Sequence, residues 1–200
     1  MRLLKKGFLA VILALSLCLA FAACDSNENE TPEDTRYLWG TLSGTITEYA
    51  DSPVDSSPVA GVTVKSGDET VTSDENGNYT IKVYDNGATV TFEKEGYITQ
   101  SKTFKSSSFN SDEAEYSFIA YVSTVVTGTV KDANGSPVSG ASVSIGIRQT
   151  TTDAQGKFKF DGVIGTSMVI VVTSGKTTVR KPVYTEQMRT GAVDVEVELG

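Results

Sequence analysis

Apolar and polar residues alternate along most of the chain beyond residue 37. The clearest case is the segment VDVEVEL at residues 193–199, where apolar residues alternate with acidic ones. A period of two is typical of a β-strand with one buried face, and no window shows a convincing helical stripe. Short segments rich in Val and Thr, separated by turn residues, predict an all-β fold of antiparallel sandwiches.

The alternating pattern occurs in two copies. Two pairs of segments match with a constant offset of 79 residues: PVAGV at 58–62 with PVSGA at 137–141, and TSDENGNY at 72–79 with TTDAQGKF at 151–158. The GTI and GTV segments upstream are 84 residues apart, so the first copy has five extra residues before Pro58. The repeat predicts two homologous modules, at residues 37–122 and 123–200.

Each module is predicted to be a seven-stranded Greek-key sandwich. In the second module we expect strands near residues 125–131, 141–147, 149–152, 157–161, 167–173, 177–184 and 193–199. The junction at residues 121–124 has neither Gly nor Pro. A junction this short restricts bending and predicts a stiff two-module rod.

The second copy carries the elements of a known family. It displays G-x-V from Gly128, S-P-V-x-G-A-x-V from Ser136 and T-T-D-x-x-G-x-F from Thr151. This pattern resembles the carboxypeptidase regulatory-like domain, a transthyretin-like sandwich. The first copy matches more loosely, with Tyr79 in place of Phe158 and an EKEGY segment. The resemblance implies a fold and no particular activity, because sandwich modules carry many functions.

The first residues have the order of a lipoprotein signal. Three basic residues precede an apolar run at residues 8–23 that ends in two alanines directly before Cys24. This order predicts a secretory signal peptide at residues 1–23. The stretch FAAC resembles the lipobox of bacterial lipoproteins, which implies acylation of Cys24. The other interpretation is an ordinary signal peptide that happens to precede a Cys.

An acidic tether is expected between the anchor and the first module. Residues 25–36 read DSNENETPEDTR, with five acidic residues and one Pro. This composition does not bury a core, so residues 24–36 are predicted to be a lipidated Cys followed by a disordered segment. The acidic stretch is similar to the surface-export signal of Bacteroidetes lipoproteins, although a plain solvated spacer explains it equally well. Together these features predict a surface-exposed outer-membrane lipoprotein.

Composition excludes several classes of chemistry. The chain has no His, which removes Ser-His-Asp and Cys-His catalysis and His-bearing zinc sites. Without residues 1–23 it keeps 14 basic and 25 acidic residues, a net charge of −11 that opposes nucleic-acid binding. No G-x-S-x-G or S-x-x-K motif occurs. We therefore predict a protein that is not an enzyme and needs no cofactor.

A metal site is the weaker of two interpretations of residues 74–78. Asp74, Asn76 and a Gly resemble a calcium loop. The second copy keeps Asp153 and Gly156 but loses the ligands between them. What the copies share is turn chemistry, in which the Asp caps the turn and the Gly takes a left-handed conformation.

Loops and aromatic residues supply the candidate ligand-binding positions. The insertion gives the first module a long loop at residues 48–57, with Tyr49, Asp51 and Asp55, and a Ser-rich stretch at residues 105–112 contains Phe109. Loops on rigid scaffolds often bind ligands, but lengthening a loop costs little stability, so recognition and tolerated growth both remain open.

Two further groups of residues have competing interpretations. Trp39 is a sugar-stacking platform with Tyr37 and Tyr49, or a core residue at the start of the first strand. Glu196 and Glu198 fit a solvated edge that discourages strand addition, and not a glycosidase pair.

Three hypotheses for function follow. The first is a non-catalytic envelope lipoprotein, held to the membrane by its lipid, that binds a glycan or an envelope protein or acts as a scaffold. The second is a structural stalk or adhesin subunit. The third is a small hydrolase that uses Glu48, Asp51 or Asp55, which would require turnover that Asp→Asn changes abolish.

Overall fold

The computed structural model describes residues 36–200. The predicted signal peptide at residues 1–23, Cys24 and the predicted tether up to residue 35 lie outside the described residues. Arg36–Gly200 form one compact unit. This unit contains two hydrophobic core clusters, one for each copy of the repeat, and we call the two parts the first and the second module.

The first module is a sandwich of two sheets. Its strands within the described residues are β1 (Leu38–Glu48), β2 (Thr63–Ser66), β3 (Glu69–Thr72), β4 (Asn78–Tyr84), β5 (Thr89–Glu93), β6 (Gln100–Thr103), β7 (Glu113–Glu115) and β8 (Phe118–Ala120). One sheet has the order β4-β1-β7, with β8 also paired to β1, and the other has the order β3-β2-β5-β6. Three-residue β7 and β8 follow one another along β1.

The second module repeats this arrangement. Its strands are β9 (Ser123–Asp132), β10 (Ser142–Ile145), β11 (Arg148–Thr151), β12 (Lys157–Ile164), β13 (Met168–Ser174), β14 (Thr177–Val183) and β15 (Ala192–Leu199). The sheets have the orders β12-β9-β15 and β11-β10-β13-β14. Each lies near a predicted strand, and the predicted all-β sandwich is confirmed.

The last strands of each module differ from the predicted antiparallel arrangement. β15 runs parallel to β9 along its whole length, and β7 and β8 run parallel to β1. In the second module the chain returns to the start of β9 in the connection after β14, where Thr124 Oγ1 donates a hydrogen bond to the Met188 carbonyl oxygen at 2.5 Å. The last strand therefore starts at the same end as the first and runs in the same direction.

A short helix occupies this connection. Helix α1 (Thr185–Met188) joins β14 to β15, in a segment for which the sequence predicts no helix. Its Met188 is fully buried in the core of the second module. Among residues 36–200 no helix is long and apolar enough to span a membrane.

Each module has a buried hydroxyl group at the equivalent position, and this group is hydrogen-bonded to the backbone of a loop. Ser73 Oγ accepts a hydrogen bond from the Val62 amide at 2.9 Å and donates one to the Val59 carbonyl at 2.8 Å. Thr152 Oγ1 makes the equivalent two bonds, to the Ala141 amide and the Val138 carbonyl. Each hydroxyl thus satisfies one backbone amide and one backbone carbonyl of a loop, and these two groups have no partner in a strand ladder.

Candidate functional site at the junction of the modules

The loop that distinguishes the first module lies against the second module. It leaves β1 at Glu48, forms a single 3-10 turn at Pro53–Asp55 and returns to Pro58, which bridges back to Thr47. Two of its side chains bind residues in or next to α1. The insertion therefore forms part of the contact between the modules.

Glu48 is the centre of the first contact. Arg189 Nε donates a hydrogen bond to Glu48 Oε1 at 2.5 Å, and the two side chains are 26% and 16% exposed. Tyr97, from the loop between β5 and β6, donates its hydroxyl proton to Glu48 Oε2 at 2.7 Å. Both carboxylate oxygens are thus occupied, and charge-assisted bonds of this kind are among the stronger ones in proteins.

Asp51 is the centre of the second contact. Thr185 Oγ1 donates a hydrogen bond to Asp51 Oδ1 at 2.8 Å. Thr185 is only 3% exposed and also accepts a hydrogen bond from the Ser167 amide at 2.9 Å. The insertion loop is thereby tied to a buried network of the second module.

Tyrosines border these contacts. Tyr49 stacks on Tyr121 with ring centroids 5.1 Å apart. Partial burial and the neighbouring Asp51 carboxylate raise the pKa of Tyr49. Burial, together with the hydrogen bond to Glu48 and the charge of that carboxylate, raises the pKa of Tyr97 to about 12. Both phenols are therefore neutral at physiological pH.

An open cleft of about 520 Å³ lies beside the contacts. It is lined by Ala50, Asp51, Asp55, Tyr184, Thr185, Glu186 and Arg189. Tyr184 is 57% exposed. The structure thus places Asp51 and Asp55 in one cleft with an exposed ring.

Trp39 and Phe109 lie elsewhere. Both are partly buried and pack against the core of the first module, and the Phe109 ring lies 6.3 Å from that of Phe104. Trp39 is the second residue of eleven-residue β1, and Tyr49 directly follows its last residue. At about 3.3 Å per residue their backbone positions are roughly 30 Å apart along the strand, so the two rings do not form one platform.

The structure gives Asp74 a role in a turn. Asp74 Oδ1 accepts hydrogen bonds from the amides of Asn76 and Asn78. Asp153 Oδ1 accepts the equivalent two bonds in the second module, from the amides of Gln155 and Lys157. Gly77 has a φ of +76°, as the left-handed turn position requires. These bonds, led by that from the Asn78 amide, lower the pKa of Asp74. No cluster of three metal-ligating side chains is found in residues 36–200.

The sequence pattern missed the residues that the second module contributes. Thr185, Arg189 and Tyr184 belong to no motif, and the partners of Thr185 and Arg189 lie more than 130 residues earlier in the chain. The one available signal was the gap of eight residues without alternation between the last two predicted strands.

One family model matches part of the chain, within the second module. Residues 125–198 match the family model of the carboxypeptidase regulatory-like domain. The predicted resemblance is therefore confirmed for these residues. No curated protein matches the chain.

Solved structures show only distant likeness. The Bacillus anthracis TIE protein is 15% identical over 80% of this chain, with a TM-score of 0.35, and the chain spans 34% of that protein. A type II cohesin–X-dockerin complex of Acetivibrio cellulolyticus is 24% identical over 42% of this chain and 58% of the other, with a TM-score of 0.32. The minor pilin GBS52 of Streptococcus agalactiae is 11% identical over 80% of this chain and 95% of the pilin, with a TM-score of 0.32.

Proposed function

We propose that this chain is a non-catalytic cell-envelope lipoprotein that works as a rigid two-module scaffold. The single observation behind the proposal is the pair of contacts from the insertion loop to the second module, Glu48 with Arg189 and Asp51 with Thr185. Two modules joined by a short linker alone would keep some freedom to bend. Contacts beside the linker remove that freedom and hold whatever the far module carries at a fixed distance.

The carboxylates at the junction are suited to this structural role. Glu48 is 16% exposed and binds two donors from different segments. Removing one partner of a shielded ion pair leaves the other charge poorly solvated, at a cost of about 3 kcal/mol when burial is complete and less here. Moving the two modules apart would therefore require these hydrogen bonds to break.

Distance measurement between spin labels tests the scaffold. The chain from residue 24 with Cys24→Ala contains no other Cys, so labels can be placed at Thr80→Cys and Thr178→Cys, which are both exposed. We expect one narrow distance distribution, which broadens when Glu48→Ala and Asp51→Ala are combined.

A matched control separates this effect from the loss of charge. Glu93→Ala and Asp194→Ala remove two carboxylates whose partners, Lys65 and Thr127, lie in the same module. The control should keep the narrow distribution. A broad distribution in the unaltered chain would contradict the scaffold.

The membrane anchor is a separate part of the proposal. We propose acylation of Cys24 at the outer membrane, supported by the lipobox-like sequence and the acidic segment after it. Two or three acyl chains bind a bilayer far more firmly than one, at about 0.8 kcal/mol per buried methylene. Cys24→Ala should move the protein from the detergent phase to the aqueous phase, and persistence in detergent would contradict acylation.

Glycan capture is the second candidate function. It is favoured by the exposed ring of Tyr184 beside the carboxylates of Asp55 and Glu186 in the junction cleft, since sugars stack on rings and donate hydroxyl protons to carboxylates. A glycan array with the chain from residue 24 tests it. Binding that Tyr184→Ala abolishes and Ile147→Ala preserves would support capture, because Ile147 is even more exposed than Tyr184 but lies outside this cleft.

A further inference from the structure

The last strand of the second module leaves one long side open. β15 has eight residues, and all of them pair with β9 on one side. On its other side no strand of residues 36–200 is paired with it. An edge of this kind presents a row of free amide and carbonyl groups that can bind another strand.

The other edge strands are less suited to adding a strand. β3, β6 and β11 have four residues each, and β7 and β8 have three. β4 and β12 lie in ladders that contain a register shift. β14 contains Pro182, which lacks an amide proton. Of the edges in the described part of the chain, β15 is therefore the long, regular one.

The acidic side chains of β15 determine which kind of strand can pair with this edge. Asp194, Glu196 and Glu198 are exposed and alternate with buried apolar residues. On the β9 side, Lys131 pairs with Glu196 and Thr127 donates a hydrogen bond to Asp194. A second copy of β15 would place like charges opposite one another, which is unfavourable. A strand with basic residues at alternate positions would instead place opposite charges in register.

An open cleft lies at the C-terminal end of this edge. It is lined by Val179 and Lys181 of β14, by Glu196, Val197 and Glu198 of β15, and by residues at the end of β9 and in the turn after it. Val179 is only partly buried against the core, so it contributes apolar surface to the lining. Small apolar side chains on the inner face of an added strand would enter this cleft, while its basic side chains would face the acidic column.

We propose that β15 is a docking edge for an extended segment of a partner protein, with Lys or Arg at alternate positions and small apolar residues between them. Main-chain hydrogen bonds would supply the affinity and the three acidic side chains the selectivity, as in other cases of strand addition. The acidic column thus repels a copy of itself and admits a basic strand. This inference does not depend on the anchor or on the junction.

Binding of short peptides tests the proposal. The probe is a fluorescein-labelled peptide TKVKVKVT, measured by anisotropy against the chain from residue 24 with Cys24→Ala. A peptide of the same composition with its three Lys residues adjacent should bind about tenfold more weakly, because charge register is lost. N-methylation of alternate backbone amides should abolish binding, because the ladder bonds are lost.

Two matched double variants locate the site. Glu196→Gln with Glu198→Gln should weaken binding about tenfold, whereas Glu113→Gln with Glu115→Gln should leave it unchanged. Glu113 and Glu115 are the exposed acids of β7, the equivalent edge of the first module. Equal loss in both variants, equal binding of the clustered peptide, or no binding up to about 1 mM would overturn the proposal.

Discussion

The two modules have the same loop and turn contacts, but their last strands differ. In both, a buried hydroxyl braces the same loop and an Asp caps the same turn. In the second module the last strand is one continuous element of eight residues, whereas in the first it is divided into β7 and β8. One side-chain hydrogen bond in the first module lies at this division.

The donor of this bond is the hydroxyl group of Tyr79. It donates a hydrogen bond to the Tyr116 carbonyl at 2.6 Å, at the break between β7 and β8. The second module has Phe158 at the equivalent position, which has no hydroxyl, and β15 continues without a break. In the first module the last strand is thus bonded at this point to a core side chain, in place of a hydrogen bond within the strand ladder.

The modules also differ in the loop that follows their first strand. The first has the insertion loop, which contacts α1 of the second module, whereas β9 ends in a tight turn at residues 132–135 where Asp132 accepts amide hydrogen bonds. The two copies thus share a sandwich, and the copy with five extra residues has a loop that contacts the other module.

The largest effect is expected from the glycines at the centre of each first strand. A Cβ on Gly44 would lie 2.0 Å from the Tyr116 carbonyl oxygen, and one on Gly128 would lie 2.5 Å from the Phe158 ring. Gly44→Ala and Gly128→Ala should each lower the free energy of unfolding by about 3 kcal/mol, measured by denaturant titration. Gly135→Ala, in open space at positive φ, should cost about 1 kcal/mol. Equal costs at all three positions would contradict the close packing.

Removal of the buried hydroxyl group should lower the free energy of unfolding by the same amount in either module. Ser73→Ala and Thr152→Val each leave a buried amide and a carbonyl without their partner. We expect a loss of about 2 kcal/mol in either module, by the same titration. Thr72→Val and Thr151→Val change exposed neighbours and serve as controls. A loss confined to one module would show that the devices are not equivalent.

Tyr79→Phe tests the cause of the broken strand. The change makes the first module like the second at this position and should cost about 1 kcal/mol, because the Tyr116 carbonyl loses its donor. Amide exchange of residues 113–120 measures the accompanying change, and we expect faster exchange there than in β15. Unchanged stability and exchange would mean that another interaction divides the strand.

The smallest effect concerns Tyr97 at the junction, and it depends on pH. Its pKa is raised from 10.0 to about 12 by burial and by Glu48, so its contribution to stability is complete below pH 10 and is lost as pH rises towards 12. Tyr97→Phe should be less stable by about 1 kcal/mol at pH 7, through loss of the bond to Glu48. The difference should shrink between pH 10 and 12, since Phe does not titrate. A constant difference across this range, in urea titrations, would contradict the raised pKa.

Local chemistry was readable in the sequence, whereas contacts between distant segments were not. The strands of the second module followed from strict alternation, as in β15, and the turn role of Asp74 followed from comparing the copies. The parallel pairing of the last strand depends on which end of the sandwich the chain reaches after β14. The junction depends on side chains 134 and 141 residues apart, which no local pattern reports.

Residual dipolar couplings test the central claim, that the two modules act as one rigid body, most directly. They would be recorded for backbone amides of both modules in the chain from residue 24 with Cys24→Ala. The account predicts that one alignment tensor fits the amides of both modules, and that Glu48→Ala combined with Asp51→Ala separates it into two. Two different tensors in the unaltered chain would contradict the account.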